Sequence, residues 1–167
     1  QWQTAYDIAR QIDDAYPAGT IIADQDYGER DDYTSLAWLG GQAAMKQIGR
    51  PADAAVLFDR YGKGSYAPQT RSKGLFWAAR AMAAAGRQPD ASQFYGAAAA
   101  YRDQFYGQLA AERLGQPLSP PPTVAPTPVD PVVAQAFARR ETVRAAQLLG
   151  NVGQWGDQSI FLRQIAA

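Results

Sequence analysis

Two glycine-arginine pairs, Gly49-Arg50 and Gly86-Arg87, stand 37 residues apart, and each is followed closely by a proline, Pro51 or Pro89. Glycine can adopt the left-handed conformation that ends a helix, and proline is accommodated in a helix's first turn. The same stop-and-restart signal at a fixed interval therefore predicts a chain built from helix pairs. Trp38 and Trp77 precede the two stops at similar distances. One such pair cannot bury its own apolar face, so neighbouring pairs must stack, which is the logic of an α-solenoid.

The rest of the chain fits this frame. Ala5, Ile8, Ala9 and Ile12 share one helical face within a predicted helix from Gln3 to Ala15, stopped by Pro17 and Gly19. Residues 18–31 read as a polar connection. A long helix is predicted from about Asp32 to Ile48, with Asp31 or Asp32 as its N-cap. The next starts at Pro51, places Ala54, Leu57, Phe58 and Tyr61 together, and breaks at Gly62 and Gly64. A second pair is predicted from Pro68 to Ala85 and from Pro89 onward, with Ala91, Phe94, Tyr95 and Ala98 on one face. A third unit spans Gln104 to Gly115.

Seven prolines between Pro117 and Pro131 exclude helix and favour an extended connector over the helices. No basic residues flank them to suggest an SH3-type docking motif. Beyond them, a helix from Pro131 to Leu149, broken near Arg139, and a last helix from Trp155 to Ala166 are predicted. The expected class is all-α: an α-superhelix of tetratricopeptide-like helix pairs without a sheet. Residues 1–116 form the superhelical domain, 117–131 the connector and 132–167 linker helices packing on the superhelix.

Composition narrows the chemistry. There is no histidine and no cysteine, which removes the usual base near neutral pH, thiolate nucleophiles, disulfides and the commonest metal ligands. Sixteen basic residues balance sixteen acidic ones, which argues against binding nucleic acid by bulk charge. No apolar run is long enough to span a membrane. Asp24, Asp26, Glu29, Asp31 and Asp32 invite a calcium reading, but counting from Asp24 puts Glu29 where an EF-hand loop needs glycine and Ser35 where it needs glutamate. No metal and no cofactor are expected. The chain starts at Gln1 without a signal-peptide pattern, so we read it as part of a longer product.

The run Ser72-Lys73-Gly74-Leu75-Phe76-Trp77-Ala78-Ala79-Arg80-Ala81, with Gly86-Arg87 after it, resembles a helix of the soluble lytic transglycosylases. Ala97 to Tyr101, and Phe105-Tyr106-Gly107-Gln108-Leu109-Ala110-Ala111-Glu112-Arg113-Leu114-Gly115, are similar to that family's next element. Phe137, Val143-Arg144-Ala145-Ala146 and Leu148-Leu149 resemble its linker region. The resemblance covers essentially the whole chain and departs most at Gly40-Gly41-Gln42. It implies a non-catalytic superhelix that positions a lysozyme-like domain, expected C-terminal to this chain, and helps hold peptidoglycan strands in the periplasm. That domain cleaves between N-acetylmuramic acid and N-acetylglucosamine, leaving a 1,6-anhydro product.

The family's glutamate-serine and glycine-leucine-methionine-glutamine motifs do not occur here, and the only glutamates are Glu29, Glu112 and Glu141. Glycosidic cleavage needs a carboxylic acid held protonated beside the leaving oxygen. Glu112 beside Arg113 fits an ion pair or a solvent-facing position better, and Glu141 fits a helix start. No catalytic residue is assigned. The candidate substrate-binding residues are Arg80, in an alanine-rich helix, and Arg139, Arg140 and Arg144, whose simpler reading is a solvated helix face. Trp38, Trp77, Phe94, Tyr95, Phe105 and Tyr106 suit stacking on sugars but fit core anchors better at this spacing. The alternative function is a tetratricopeptide-like adaptor that binds a protein partner; an intact small enzyme is disfavoured.

Overall fold

The computed structural model describes residues 1–118 and 128–166 and is all-helical, with no strand among them. The chain divides into two compact units, Gln1–Pro120 and Pro121–Ala167. The division falls inside the proline-rich run. Residues 119–127, the body of that run, lie outside the described residues, and with them the conformation expected for it.

The first unit holds six α-helices: α1 (Trp2–Ala9), α2 (Tyr27–Ala43), α3 (Pro51–Lys63), α4 (Pro68–Ala84), α5 (Gln88–Ala99) and α6 (Phe105–Arg113). Each packs on its neighbours in the chain, and α4 also reaches α6. This nearest-neighbour pattern is that of a helical solenoid. The core is alanine-rich, with Leu57 and Phe58 as its largest fully buried side chains. Small residues let the helices approach closely, and the aromatics fill what remains.

The repeated stop signal forms the repeated joint. Gly49 and Gly86 are left-handed, with φ of 72° and 75°. Arg50 and Arg87 follow as the N-cap residues of α3 and α5, and each ion-pairs through Nε with an aspartate three residues on, Asp53 at 2.6 Å and Asp90 at 2.7 Å. The Arg87 amide donates to the Met82 carbonyl five residues back, whereas the Arg50 amide donates to the Ala44 carbonyl six back. The extra residue is absorbed by a π-helical turn over Ala44–Ile48, between α2 and Gly49.

The N-terminal third departs from expectation. The first helix ends at Ala9, and Ile12–Ala15 form a separate 3₁₀ turn. That turn places Asp13 to accept from the Tyr33 hydroxyl at 2.6 Å and to pair with Arg60 at 2.6 Å. The buried residues of α1 are Tyr6 and Ala9, while Ile8 is exposed. Helix α2 begins at Tyr27 rather than near Asp32, with Asp26 at the N-cap position but making no side-chain capping bond. Asp31 and Asp32 therefore lie inside the helix and are not its caps. Acidic residues favour the first turns of a helix as well as its cap, so their presence alone did not mark the boundary. Tyr33, Ala37, Gly40, Gly41 and Ala44 then lie buried along one face.

Glycine in this core acts mainly through size. Gly40-Gly41, where the family resemblance fails, lies between two neighbours: a Cβ at Gly40 would overlap the Ala9 side chain, and one at Gly41 would stand 2.7 Å from the Phe58 ring. Gly62 does not break α3 as expected. It is buried within the helix, and a Cβ on Gly74 of α4 would stand 2.6 Å from its Cα.

The second unit contains α7 (Pro131–Ala138), α8 (Glu141–Asn151) and α9 (Trp155–Ala166). Pro131 opens α7, as expected of the helix read to start there. Asp130 caps it, its side chain accepting from the Val132 amide at 2.7 Å. The expected break near Arg139 falls between α7 and α8. Helices α8 and α9 pack together, and Gln158 donates to the Ala146 carbonyl at 3.0 Å. Val143 and Ala146 are buried, whereas Val152, the C-cap residue of α8, is 70% exposed.

Candidate functional site: an aromatic platform carrying unpaired cations

A chain of touching rings runs through the first unit. Trp38 of α2 meets Phe58 and Tyr61 of α3 at centroid separations of 5.1 and 5.0 Å, and Trp77 of α4 at 5.7 Å. Phe76 continues it to Tyr95 of α5 at 5.7 Å and Tyr106 of α6 at 5.4 Å. Trp77 and Tyr95 border both of the unit's buried clusters. The expectation of core anchors thus fits Trp38, Trp77, Phe94, Tyr95 and Tyr106. It does not fit Phe105, which opens α6, lies against Tyr106 and is 66% exposed.

Cations gather on this ring system. Lys73 Nζ lies 3.7 Å from the centroid of Trp38 and 5.0 Å from that of Tyr61. Lys46 Nζ and the Arg80 guanidinium lie 5.7 and 4.6 Å from that of Trp77. Arg30 stacks on Tyr27 at 5.9 Å. Among the described residues, none of these four has a carboxylate within ion-pair distance, whereas Arg10, Arg50, Arg60, Lys63 and Arg87 all do. A cation over a ring face gains roughly 0.5–2 kcal/mol and keeps its N–H donors available. Arg71, Arg102 and Arg113 of the first unit and Arg139, Arg140, Arg144 and Arg163 of the second likewise have no such partner among the described residues, so what sets these four apart within the first unit is their seat on aromatic rings.

A cleft of about 420 Å³ opens beside the platform, between the start of α2 and the α3–α4 turn. Arg30, Lys73, Trp38 and Tyr61 line it, together with the hydroxyl residues Thr34, Ser35, Ser65 and Thr70, and Asp31. Burial pushes the Tyr61 phenol above its ordinary value, partly offset by a hydrogen bond with Thr70. Two buried side-chain donors lack a partner among the described residues, Trp77 Nε1 on the platform and Arg30 Nε beside it. A buried donor without an acceptor costs about 1–3 kcal/mol, so both are places where an oxygen acceptor would be favourable.

A larger cavity, about 790 Å³, lies against the 3₁₀ turns and α3. Its main charges are already matched, Arg60 with Asp13 and Lys63 with Asp59. Burial, and then the hydrogen bond to Asp13, raise the Tyr33 phenol well above its ordinary range. Arg71 also lines this cavity and has no carboxylate within ion-pair distance among the described residues.

Of the arginines singled out by sequence, only Arg80 joins the platform. It rests on Trp77 within its own helix and holds no facing carboxylate among the described residues. Arg139, Arg140 and Arg144 belong to the second unit and are all exposed; Arg140 lies 5.7 Å from the Phe137 ring centroid. Glu29, Glu112 and Glu141 are exposed, and Glu141 sits in the first turn of α8. Sequence reasoning missed Lys73, Lys46 and Arg30. The i to i+3 spacing of Trp77 and Arg80 is visible in the sequence, but the approach of Lys73 to Trp38 crosses from α4 to α2 and has no local signal. Among the described residues no acidic cluster could hold a metal, and no helix is long and apolar enough to cross a membrane. Compared with known proteins, the chain matches no family model, no curated protein and no solved structure.

Proposed function

We propose that this chain is the non-catalytic superhelical segment of a periplasmic lytic transglycosylase. In this reading it positions a lysozyme-like catalytic domain that follows in the parent protein, and its surface holds peptidoglycan strands for cleavage. The observation that carries the proposal is the aromatic platform: tryptophan rings bearing unpaired cations, beside a hydroxyl-lined cleft, on a scaffold of stacked helix pairs. Aromatic, cationic and hydroxyl groups together suit a polar, acid-bearing glycan. The resemblance around Trp77 and Phe105-Tyr106-Gly107 supplies the family. The glutamates sit exposed on helix surfaces, which suits a chain whose chemistry is done by another domain.

The gene sequence downstream of Ala167 tests the family assignment. The proposal expects a lysozyme-like domain with a glutamate-serine pair in the same reading frame. An open reading frame that ends without one would favour the second reading, an adaptor that binds a protein partner. The helical-repeat architecture alone is compatible with that reading.

A further inference from the structure

We propose that the 420 Å³ cleft between α2 and the α3–α4 turn is a binding site for an acidic saccharide, a sugar unit bearing one carboxylate, with Lys73 and Arg30 as its charged contacts. The size lies within the range of small-ligand sites. The Lys73 ammonium is held by the faces of Trp38 and Tyr61 and has no carboxylate partner among the described residues, so its N–H donors are free for a ligand. Arg30 lines the same cleft, and its guanidinium has no carboxylate within ion-pair distance among the described residues. Two unspent cationic donors in one polar cleft call for an anion with oxygen acceptors.

The remaining lining selects the ligand class. Ser35 offers a hydroxyl that can donate and accept, Ser65 can still donate while accepting from the Ala67 amide, and Thr34, which donates to the Arg30 carbonyl, can still accept, as a polyol requires. Asp31 accepts from a sugar hydroxyl or amide N–H and repels a second negative charge. The site therefore suits one carboxylate on a polar ring rather than a polyanion such as nucleic acid. For its biological source this inference rests on the peptidoglycan reading, since N-acetylmuramic acid is N-acetylglucosamine with an added carboxylate-bearing lactyl ether.

That pair of sugars supplies the test. Each is titrated into the whole 167-residue chain and followed by ¹H–¹⁵N NMR, including the indole signals. The expected result is binding of N-acetylmuramic acid with shifts at Arg30, Thr34, Lys73 and the Trp38 indole, and binding of N-acetylglucosamine weaker by about tenfold or more, as for the loss of one charge-assisted contact. Lys73→Gln and Arg30→Gln should each weaken the acidic sugar to the level of the neutral one. Lys63→Gln, at a lysine already paired with Asp59, should leave it unchanged. Thermal melts of the variants verify folding, and either of the two cleft variants suffices if the other is unstable.

Equal affinity for the two sugars, shifts confined to another region, or wild-type binding by both cleft variants would overturn the proposal. Retention on purified peptidoglycan is read separately. Failure of the cleft with retention intact removes only this site, whereas sugar binding without retention keeps the site and removes the peptidoglycan reading.

Discussion

The contact between α3 and α4 makes an asymmetric prediction about two glycines that face each other. Alanine at position 74 would place its Cβ 2.6 Å from Gly62 Cα, 2.7 Å from Gly62 N and 2.7 Å from the Phe58 carbonyl oxygen. Carbon atoms prefer about 3.5–4.0 Å, so relief requires the helices to part by roughly 1 Å. All three obstacles are backbone atoms, which no rotamer change can move aside. Overpacking of this kind costs about 1–3 kcal/mol, and a rigid obstacle puts Gly74→Ala toward the upper end. Replacing a helical glycine returns about 0.5–1 kcal/mol of backbone entropy, leaving a net loss of about 2 kcal/mol. Alanine at position 62 meets only ordinary contacts, 3.4 Å to the Arg71 carbonyl oxygen and 3.4 Å to Gly74 Cα. Gly62→Ala should therefore be neutral or more stable by up to about 1 kcal/mol. Urea unfolding followed by far-ultraviolet circular dichroism gives both values from midpoints at constant slope. The reasoning is refuted if the two variants agree within about 0.5 kcal/mol, or if Gly62→Ala is the more damaging.

Three further substitutions test the core and its polar ties. Tyr33 has a folded-state pKa raised above its ordinary value of 10.0. The contribution of its neutral phenol is therefore complete below that value and lost as pH rises through the folded value. Tyr33→Phe should cost about 1 kcal/mol near neutrality, from the lost hydrogen bond to Asp13, and should reduce the loss of stability expected above about pH 10 for the unmodified chain, both read by urea unfolding. An alkaline profile identical to that of the unmodified chain would contradict this assignment. Phe76 is 4% exposed and touches Trp77, Tyr95 and Tyr106, so Phe76→Ala should cost about 3–5 kcal/mol. Phe105→Ala, at an exposed ring in the same aromatic series, should cost about 0.5 kcal/mol or less, and comparable losses in the two variants would place Phe105 in the core after all.

The parts of the fold legible in the sequence are those governed by local chemistry. Gly49, Gly86 and the prolines after them mark helix ends because the left-handed conformation and the missing proline amide are properties of single residues. Leu57 and Phe58 follow from helical periodicity, which places them on one face. The start of α2 was not legible, because the acidic residues from Asp24 to Asp32 offer several chemically equivalent starts, and the helix takes the one after Asp26 without a side-chain capping bond to mark it. Gly62 read as a breaker because the neighbour that requires a small residue, Gly74, lies on another helix. The same limit applies to the site. Arg80 stood out within an alanine-rich helix, but Lys73 acquires its meaning only when α4 is laid against α2, and Arg30 only when the α3–α4 turn closes the cleft.

The most direct test of the account is cosedimentation of the purified chain with insoluble peptidoglycan sacculi, beside a helical control protein of similar size and charge. The account predicts retention above the control that falls when Lys46, Lys73 and Arg80 are together replaced by glutamine, with helicity and melting temperature preserved. Retention no greater than the control would contradict the glycan-holding role assigned to the aromatic platform, and retention unaffected by the triple substitution would place binding elsewhere on the chain.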